Sequence, residues 1–392
     1  MRKNPFTPGL PADPEQFVGR KNEIRIFTQS LEQSFYGNPQ NLAIMGERGI
    51  GKSSLLRKFE KIAEDKNCLV IRRDVDASVN SLQMLAYCIL YALKEEGKRF
   101  FSRRKKAKND VLEFFEKHKV AIEISGFGGS IEKAPPVAIQ EEFCKKLAEI
   151  AKAVQTEVPA IVIMLDEAEH LQNIEGAWGF IRSVFTRLLE NGYHFCIIVS
   201  GKLGLFKNIK EIFSPMERFF FPKEIDLLIP QETIEAIEKP MSSEGITVTD
   251  EVKKMLVEYT DGHPFIVQVF GFYLFESGKS KIDKKAFEEQ LSIILDRLKA
   301  QVFKDRFDSA SPDERRILEI LSNSRKKVFK VADILPFLKK KNVPYTRNLL
   351  ERLVKKDCLR KVGPGQYALF HRLFGLYVKA ESNERDQESD PN

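Results

Sequence analysis

The run GERGIGKSS, residues 46–54, limits what this chain can fold into more than any other stretch. It places Gly46, Gly51, Lys52 and Ser53 at the spacing G-x-x-x-x-G-K-[ST], directly after the apolar run Asn41 to Met45. Glycines there let backbone N–H groups turn inward and approach an anionic group with no Cβ in the way. A helix starting at Lys52 adds unpaired N–H groups and the positive end of its dipole. The pattern predicts a strand, loop and helix that hold the phosphates of ATP. Gly46, Gly49, Gly51 and Ser54 would surround the phosphate chain, Lys52 would reach its β and γ phosphates, and Ser53 would place its hydroxyl on Mg2+.

A site of this kind also needs a carboxylate for the metal and a group to orient water. The run IVIMLDEAEH supplies a buried strand that ends in acids. Asp166 would hold Mg2+ through water, and Glu167 would polarise the attacking water. Ser200, at the end of the run CIIVS, is placed to meet the γ phosphate or the water, or else is an ordinary strand-end serine.

Around these motifs, apolar runs near 41–45, 68–73, 160–165 and 194–200 alternate with helical segments, which predicts an α/β P-loop NTPase core with a parallel sheet. The core is expected over 1–229, with an insert at about 98–137. The insert combines a basic run containing Arg103 and Lys105 with AIEISGFGGSIEKAPP, read as a hairpin with a glycine-rich tip at Gly126 to Gly129. After Pro230 helical patterns take over, giving a helical lid domain over 230–306. A winged helix-turn-helix follows over 307–380, in which three helices precede two β-prone runs around Gly363-Pro364-Gly365. Residues 381–392, rich in charge, are expected as a disordered tail.

The formal charge is +7 over 392 residues, and its placement says more than its total. Between Ser311 and Leu376 stand 16 Lys and Arg against 6 Asp and Glu. Arg347, Arg352, Lys355 and Lys356 on the third helix and Arg360 and Lys361 on the wing are therefore candidate contacts for double-stranded DNA. Lys339 to Lys341 could add phosphate contacts, and Thr346, Arg347 and Asn348 could touch base edges. The five scattered cysteines form no C-x-x-C pair, and no apolar stretch has the length of a signal peptide or a membrane span. A cytoplasmic protein without a membrane partner is expected.

With these motifs in place, the chain resembles the archaeal ATPase and origin-recognition-like branch of AAA+ and STAND proteins over most of its length. FVGRKNEI, Phe17 to Ile24, is similar to the branch's N-terminal box, which implies that Val18 and Gly19 cradle adenine while Arg20 braces the site. SPMERFFFPKEIDLLIP is similar to the segment after the first sensor, which implies that Arg218 approaches the γ phosphate of its own or a neighbouring subunit. DGHPF, Asp261 to Phe265, is similar to the G-x-P motif of the lid, which implies that His263 and Pro264 lie near the base or the phosphates. Val267 to Glu276 contains no arginine, a departure from origin-binding initiators that points towards the STAND side.

The resemblance implies a slowly hydrolysing ATPase, with ATP and Mg2+ as cofactors. Binding of ATP would bridge core and lid and re-aim a DNA-binding winged helix. The alternative is a STAND-type regulatory or defence ATPase whose winged helix is autoinhibitory or binds a protein partner. A homo-oligomer and a helper role in DNA remodelling or transposition stay open.

Overall fold

A computed structural model describes residues 3–103, 111, 114–115, 135–206, 213–338 and 342–388. The chain divides into two compact units. One holds Asp13–Gly46 and Gly51–Asp226; the other holds Leu227–Asn392 together with Met1–Ala12 and the short segment Glu47–Ile50. No described helix is long and apolar enough to cross a membrane.

The N-terminal unit is built on five parallel strands in the order β2-β3-β4-β1-β5, with β1 Asn41–Met45, β2 Leu69–Asp74, β3 Ile161–Asp166, β4 Phe195–Gly201 and β5 Phe220–Glu224. Every residue of β1, β3 and β4 is buried, as unbroken apolar runs require when helices cover both faces of a parallel sheet. The helices are α1 Lys21–Ser34, α2 Lys52–Asp65, α3 Leu82–Ser102, α4 Pro136–Val154, α5 Ala177–Glu190 and the short α6 Phe213–Phe219. Ser81 starts α3 by accepting the Met84 N–H at 3.2 Å. Phe27 of α1 and Phe59 of α2 stack with ring centroids 4.1 Å apart, which ties these helices together.

Four strands fall where the apolar runs place them, and β5 is an addition. Its sequence FFPKE contains Pro222 and two charges, which argue against an interior strand. As the edge strand beyond β1 it needs no donor on its free side, so the proline is tolerated. Helix α4 is likewise an addition beyond the insert's expected end. The proposed hairpin around Gly126 to Gly129 and the basic residues from Arg104 to Lys108 lie outside the described residues.

The C-terminal unit contains α7 Pro230–Ser243, α8 Asp250–Thr260, α9 Pro264–Glu276 and α10 Lys284–Leu298, with two-residue strands β6 Thr247–Val248 and β7 Lys281–Ile282 between them. A π turn, Lys299–Phe303, leads into α11 Lys304–Ser309. The winged helix comprises α12 Pro312–Asn323, α13 Val331–Ile334, α14 Val343–Lys355, β8 Leu359–Gly363, β9 Gln366–Leu369 and α15 Arg372–Glu388. Phe329 adds a third rung to the wing by exchanging two backbone bonds of 2.8 Å with Tyr367. One continuous hydrophobic core runs from the lid helices through the winged helix. Residues 381–388, expected within a disordered tail, continue α15 as helix. Their glutamates and arginine are adequate helix formers once the buried Phe374 and Val378 have anchored the preceding turns. Residues 389–392 lie outside the described residues.

Phe6 belongs to this same core and is 1% exposed. It fits because Gly271 faces it; a Cβ there would come 2.3 Å from the ring. Asn4 and Thr7 fix the segment by bonding to Phe272 and Gln268 at 3.2 and 3.1 Å. Phe6→Ala should therefore lower the stability of the C-terminal unit by about 3 to 5 kcal/mol, read as an earlier urea midpoint with the N-terminal unit's own transition unmoved.

Candidate nucleotide site

In the N-terminal unit, three adjacent strands end side by side. Asp166 closes β3, Ser200 and Gly201 close β4, and Met45 of β1 pairs with Gly201. The carboxyl edge of an open parallel sheet is where ligand-binding loops collect. Asp166 is 3% exposed. Its Oδ1 accepts the Ser200 hydroxyl and, at 3.0 Å, the Glu167 N–H. Two fixed donors hold the carboxylate in one orientation. Glu167 is exposed and has φ of 54°, a left-handed conformation that costs a non-glycine residue roughly 1 kcal/mol or more and that clusters at functional positions.

The phosphate loop begins where the Gly46 N–H donates to Gly201 O at 3.1 Å. Lys52 Nζ donates to Gly46 O at 2.9 Å, which curls the side chain back over the loop. Gly51 precedes α2 with φ of 94°, and the helix has no side-chain cap. Its first helical bond joins Leu55 N–H to Gly51 O at 2.9 Å, so the N–H groups of Lys52, Ser53 and Ser54 stay outside the helical ladder. A helix start without a side-chain cap, a lysine and a buried Asp166 held by Ser200 fit a triphosphate with Mg2+. Lys52, Ser53, Ser54 and the loop glycines would hold the nucleotide, and Ser53 and Asp166 the metal.

The box around Val18 lies in the same unit. Gly19 and Arg20 take φ of 79° and 56°, and Val18 is half-buried. The Arg20 guanidinium, itself buried, donates to Asp226 O. The adjoining Ile225 N–H donates to Met45 O at 2.8 Å, and Glu23 meets Lys223 at 3.3 Å. Arg20 thus pins the start of α1 to the chain leaving β5. Arg218, on α6, is exposed.

The segment Glu47–Ile50 belongs to the C-terminal unit, where it lies on the start of α9. Phe265 N–H donates to Gly49 O at 3.3 Å. Gly49 has φ of 79°, and a Cβ there would come 3.0 Å from His263 Cε1 and 3.3 Å from Phe265 Cβ. Gly262 is required too: with φ of 69°, a Cβ would come 2.2 Å from Leu228 O. Pro264 occupies the first turn of α9, where its missing N–H costs nothing.

His263 is 3% exposed, and its Nδ1 has no hydrogen-bond partner among the described residues. Burial, then the charges of His371, Arg306 and Arg360, hold its pKa well below the ordinary histidine range. His371 follows the wing and packs edge-on to His263 with centroids 6.2 Å apart. The Leu373 N–H donates to its Nδ1 at 3.1 Å, so its proton is assigned to Nε2, which donates to Thr260 O at 2.9 Å. Burial holds His371 down at about 4. His371 and the neighbouring Arg306 carried no motif in the sequence, and only tertiary packing brings them to His263.

The expected DNA contacts divide into two groups. Glu314, fully buried, meets Lys356 Nζ at 2.6 Å and Arg352 Nε at 3.1 Å. Burial pushes its carboxyl up, but Lys356, the Ser311 N–H and Arg352 outweigh that and hold it below the ordinary value. Lys361 pairs with Glu351 at 2.7 Å, and Arg360 lies 4.0 Å from Asp261. Arg347 and Lys355 are exposed and join no ion pair among the described residues. Thr346 cannot touch a base edge as expected, because it is fully buried and its hydroxyl donates to Asn342 O at 2.9 Å. Lys339 to Lys341 lie outside the described residues.

Residues 16–198, which contain the phosphate loop and Asp166, match the family model of the AAA ATPase domain. The match covers this N-terminal segment, and the fold of the chain is that of the solved ATPases it is similar to. It is similar to the solved Walker-type ATPase paby2304 of Pyrococcus abyssi, with a TM-score of 0.63 and 18% identity over 93% of this chain and 97% of that one. It is similar to the Aeropyrum pernix ORC2 protein, with a TM-score of 0.59 and 12% identity over 94% of each chain. In sequence it is 23% identical over 310 residues to the uncharacterized HTH-type transcriptional regulator MJ0774 of Methanocaldococcus jannaschii, covering 74% of this chain and 72% of that one.

The two buried histidines give the C-terminal unit an acid sensitivity. The unfolded chain takes up a proton near the ordinary histidine value of about 6.5, whereas folded His371 does so only near 4. Stability is therefore complete above about pH 6.5 and falls as pH drops towards 4, by up to about 3 kcal/mol from His371. Urea midpoints across this range should fall less steeply for His371→Gln than for the wild type.

Proposed function

We propose that this protein is an ATP-binding and ATP-hydrolysing switch that couples its nucleotide state to double-stranded DNA through the basic winged helix. One observation carries the reading: within a single compact unit, Glu47–Ile50 of the phosphate loop lies on His263 and Phe265, and His263 in turn packs against His371 and Phe370 beside the wing. A change at the loop is felt one contact later at the winged helix.

The AAA ATPase domain supports nucleotide binding, and the ORC2 relative was solved as ADPNP and ADP complexes. In this reading Lys52 neutralises phosphate charge, Ser53 and Asp166 hold Mg2+, and Glu167 accepts the proton of the attacking water. Bound Mg2+ supplies charge neutralisation at the phosphates. Val18, Gly19 and Arg20 flank the base, and Arg218 acts from the surface of its own or a neighbouring copy. The transcriptional-regulator designation of the MJ0774 relative supports DNA as the partner, as do the exposed Arg347 and Lys355. A cytoplasmic location accords with this reading.

A second reading, a STAND-type regulatory ATPase with a protein-binding or autoinhibitory winged helix, is favoured by the ion pairs that occupy Arg352, Lys356 and Lys361. Retention of ADP through purification with no DNA shift would decide for it.

Lys52→Ala should abolish ATP binding, whereas Glu167→Gln should keep binding and lose turnover by about 10²- to 10⁴-fold; unchanged hydrolysis in Glu167→Gln would remove Glu167 from the mechanism. For DNA, affinity measured across a salt series should fall steeply with salt and be higher with ATP than with ADP. Arg347→Ala combined with Lys355→Ala should reduce the slope of log affinity against log salt by about 2. No binding at any salt would exclude the DNA partner.

A further inference from the structure

Within the N-terminal unit, β3 and β4 part at their carboxyl ends, beside Asp166. Their backbone pairing stops at Leu165 opposite Val199. Beyond that point three side-chain hydrogen bonds among the described residues span the crevice. Ser200 donates its hydroxyl to Asp166, Glu169 Oε2 accepts the Lys202 N–H at 3.3 Å, and Gln172 Nε2 donates to Leu205 O at 2.6 Å. Glu169 and Gln172 both belong to the short helix Ala168–Asn173, which follows Glu167 and is anchored by the buried Ala168 and Leu171.

The crevice fits closely around Glu169. A Cβ on Gly201 would come 3.0 Å from Glu169 Oε2 and 2.8 Å from Leu205 Cδ1, so the carboxylate reaches the Lys202 N–H across a residue that has no side chain. Lys202 Nζ lies 4.0 Å from Glu169 Oε1 on a side chain that is 57% exposed, and so wet a pair adds little. The backbone donor sets the geometry, and a charged acceptor makes that bond stronger than a neutral one. Lys202 follows Gly201, whose carbonyl accepts the Gly46 N–H at 3.1 Å, and Ser200, whose hydroxyl orients Asp166. Three successive residues leaving β4 thus hold Asp166, the start of the phosphate loop and Glu169.

We infer that Glu169 is a positioning residue for ATP hydrolysis, which braces the exit of β4 against the turn after β3 and so keeps Ser200 on Asp166. The inference rests on the nucleotide reading above. It gives the fourth residue of the run DEAE a task distinct from those of Asp166 and Glu167, because Glu169 orients its neighbours and transfers no proton. Without the brace the crevice is free to widen, and Asp166 loses its fixed orientation. Lys52 and the start of α2 are untouched, so nucleotide binding remains.

The experiment compares the full chain as wild type, Glu169→Ala, Glu169→Gln and Gln172→Ala. It measures steady-state ATP hydrolysis, ATP and ADP titration, thermal melting, and hydrogen exchange without ligand. Glu169→Ala should lower kcat about 10- to 100-fold, with KM and both nucleotide affinities little changed. Exchange over residues 166–170 and 200–205 should become faster in the same variant. Glutamine keeps an acceptor oxygen for the Lys202 N–H, so Glu169→Gln should recover most of kcat. Gln172→Ala should move kcat and exchange in the same direction as Glu169→Ala, by less, and no variant should melt far below the wild type.

Full kcat in Glu169→Ala overturns the inference and leaves the nucleotide reading standing. If Glu169→Gln is as slow as Glu169→Ala, the charge of Glu169 matters rather than its bond to Lys202, and the bracing role fails. A Glu169→Ala chain that melts well below the wild type, or loses ADP affinity together with kcat, marks a structural residue and also overturns the inference. A wild type that neither binds nor hydrolyses nucleotide overturns both readings.

Discussion

Gly49 carries its backbone into contact with the His263 ring, and the surrounding geometry follows from that approach. The loop segment can lie there only because position 49 has no side chain, and His263 can stand there only because Gly262 passes against the Leu228 carbonyl. Backbone against the ring at Gly49 and backbone against backbone at Gly262 leave little room for adjustment, so His263 is held from both sides. Burial keeps its imidazole neutral, and His371 is neutral for the same reason. The contact between loop, lid and wing is therefore made of rigid, uncharged groups, with the positive charge displaced to Arg306 and Arg360 at its margin.

Features set by local backbone demands were readable in the sequence. The loop glycines, the apolar runs of β1, β3 and β4 and the turn between β8 and β9 each declare themselves within a few residues. What escaped depends on partners far along the chain. Phe6 falls within the core expected over 1–229, yet Gly271 gives it a place among the helices of the C-terminal unit. Strand β5 exists because β1 offers it an edge, and its proline would veto it in the middle of a sheet. Of the candidate site, Lys52, Ser53 and Asp166 stand out in the sequence because their chemistry comes with a fixed spacing. Arg306 and His371 do not, since nothing nearby in sequence reveals what faces them.

Charge in the winged helix shows where composition misleads. The excess of Lys and Arg after Ser311 suggests a uniformly cationic surface, but burial of Glu314 changes the count of usable charges. A carboxylate removed from water needs close cations, and it takes Arg352 and Lys356 from the face of α14 to satisfy it. Ser311 and Glu314 form a capping box at the start of α12, so these same pairs hold helix to helix. Arg352 remains about half exposed and can still feel an external phosphate, with part of its field already cancelled. The free positive charge is narrower than the sequence implies, because Arg352, Lys356 and Lys361 each face a carboxylate.

The same reasoning gives Arg306 its weight. Surface arginines cost little, and Arg352 and Lys356 have the buried Glu314 as a partner. Arg306 has an aromatic face on one side and, on the other, an Nη1 with no hydrogen-bond partner among the described residues. A cation over a ring recovers about 0.5 to 2 kcal/mol, less than the several kcal/mol that removing an ion from water costs. An apolar side chain would fill the position over Phe370 at lower cost to the isolated fold.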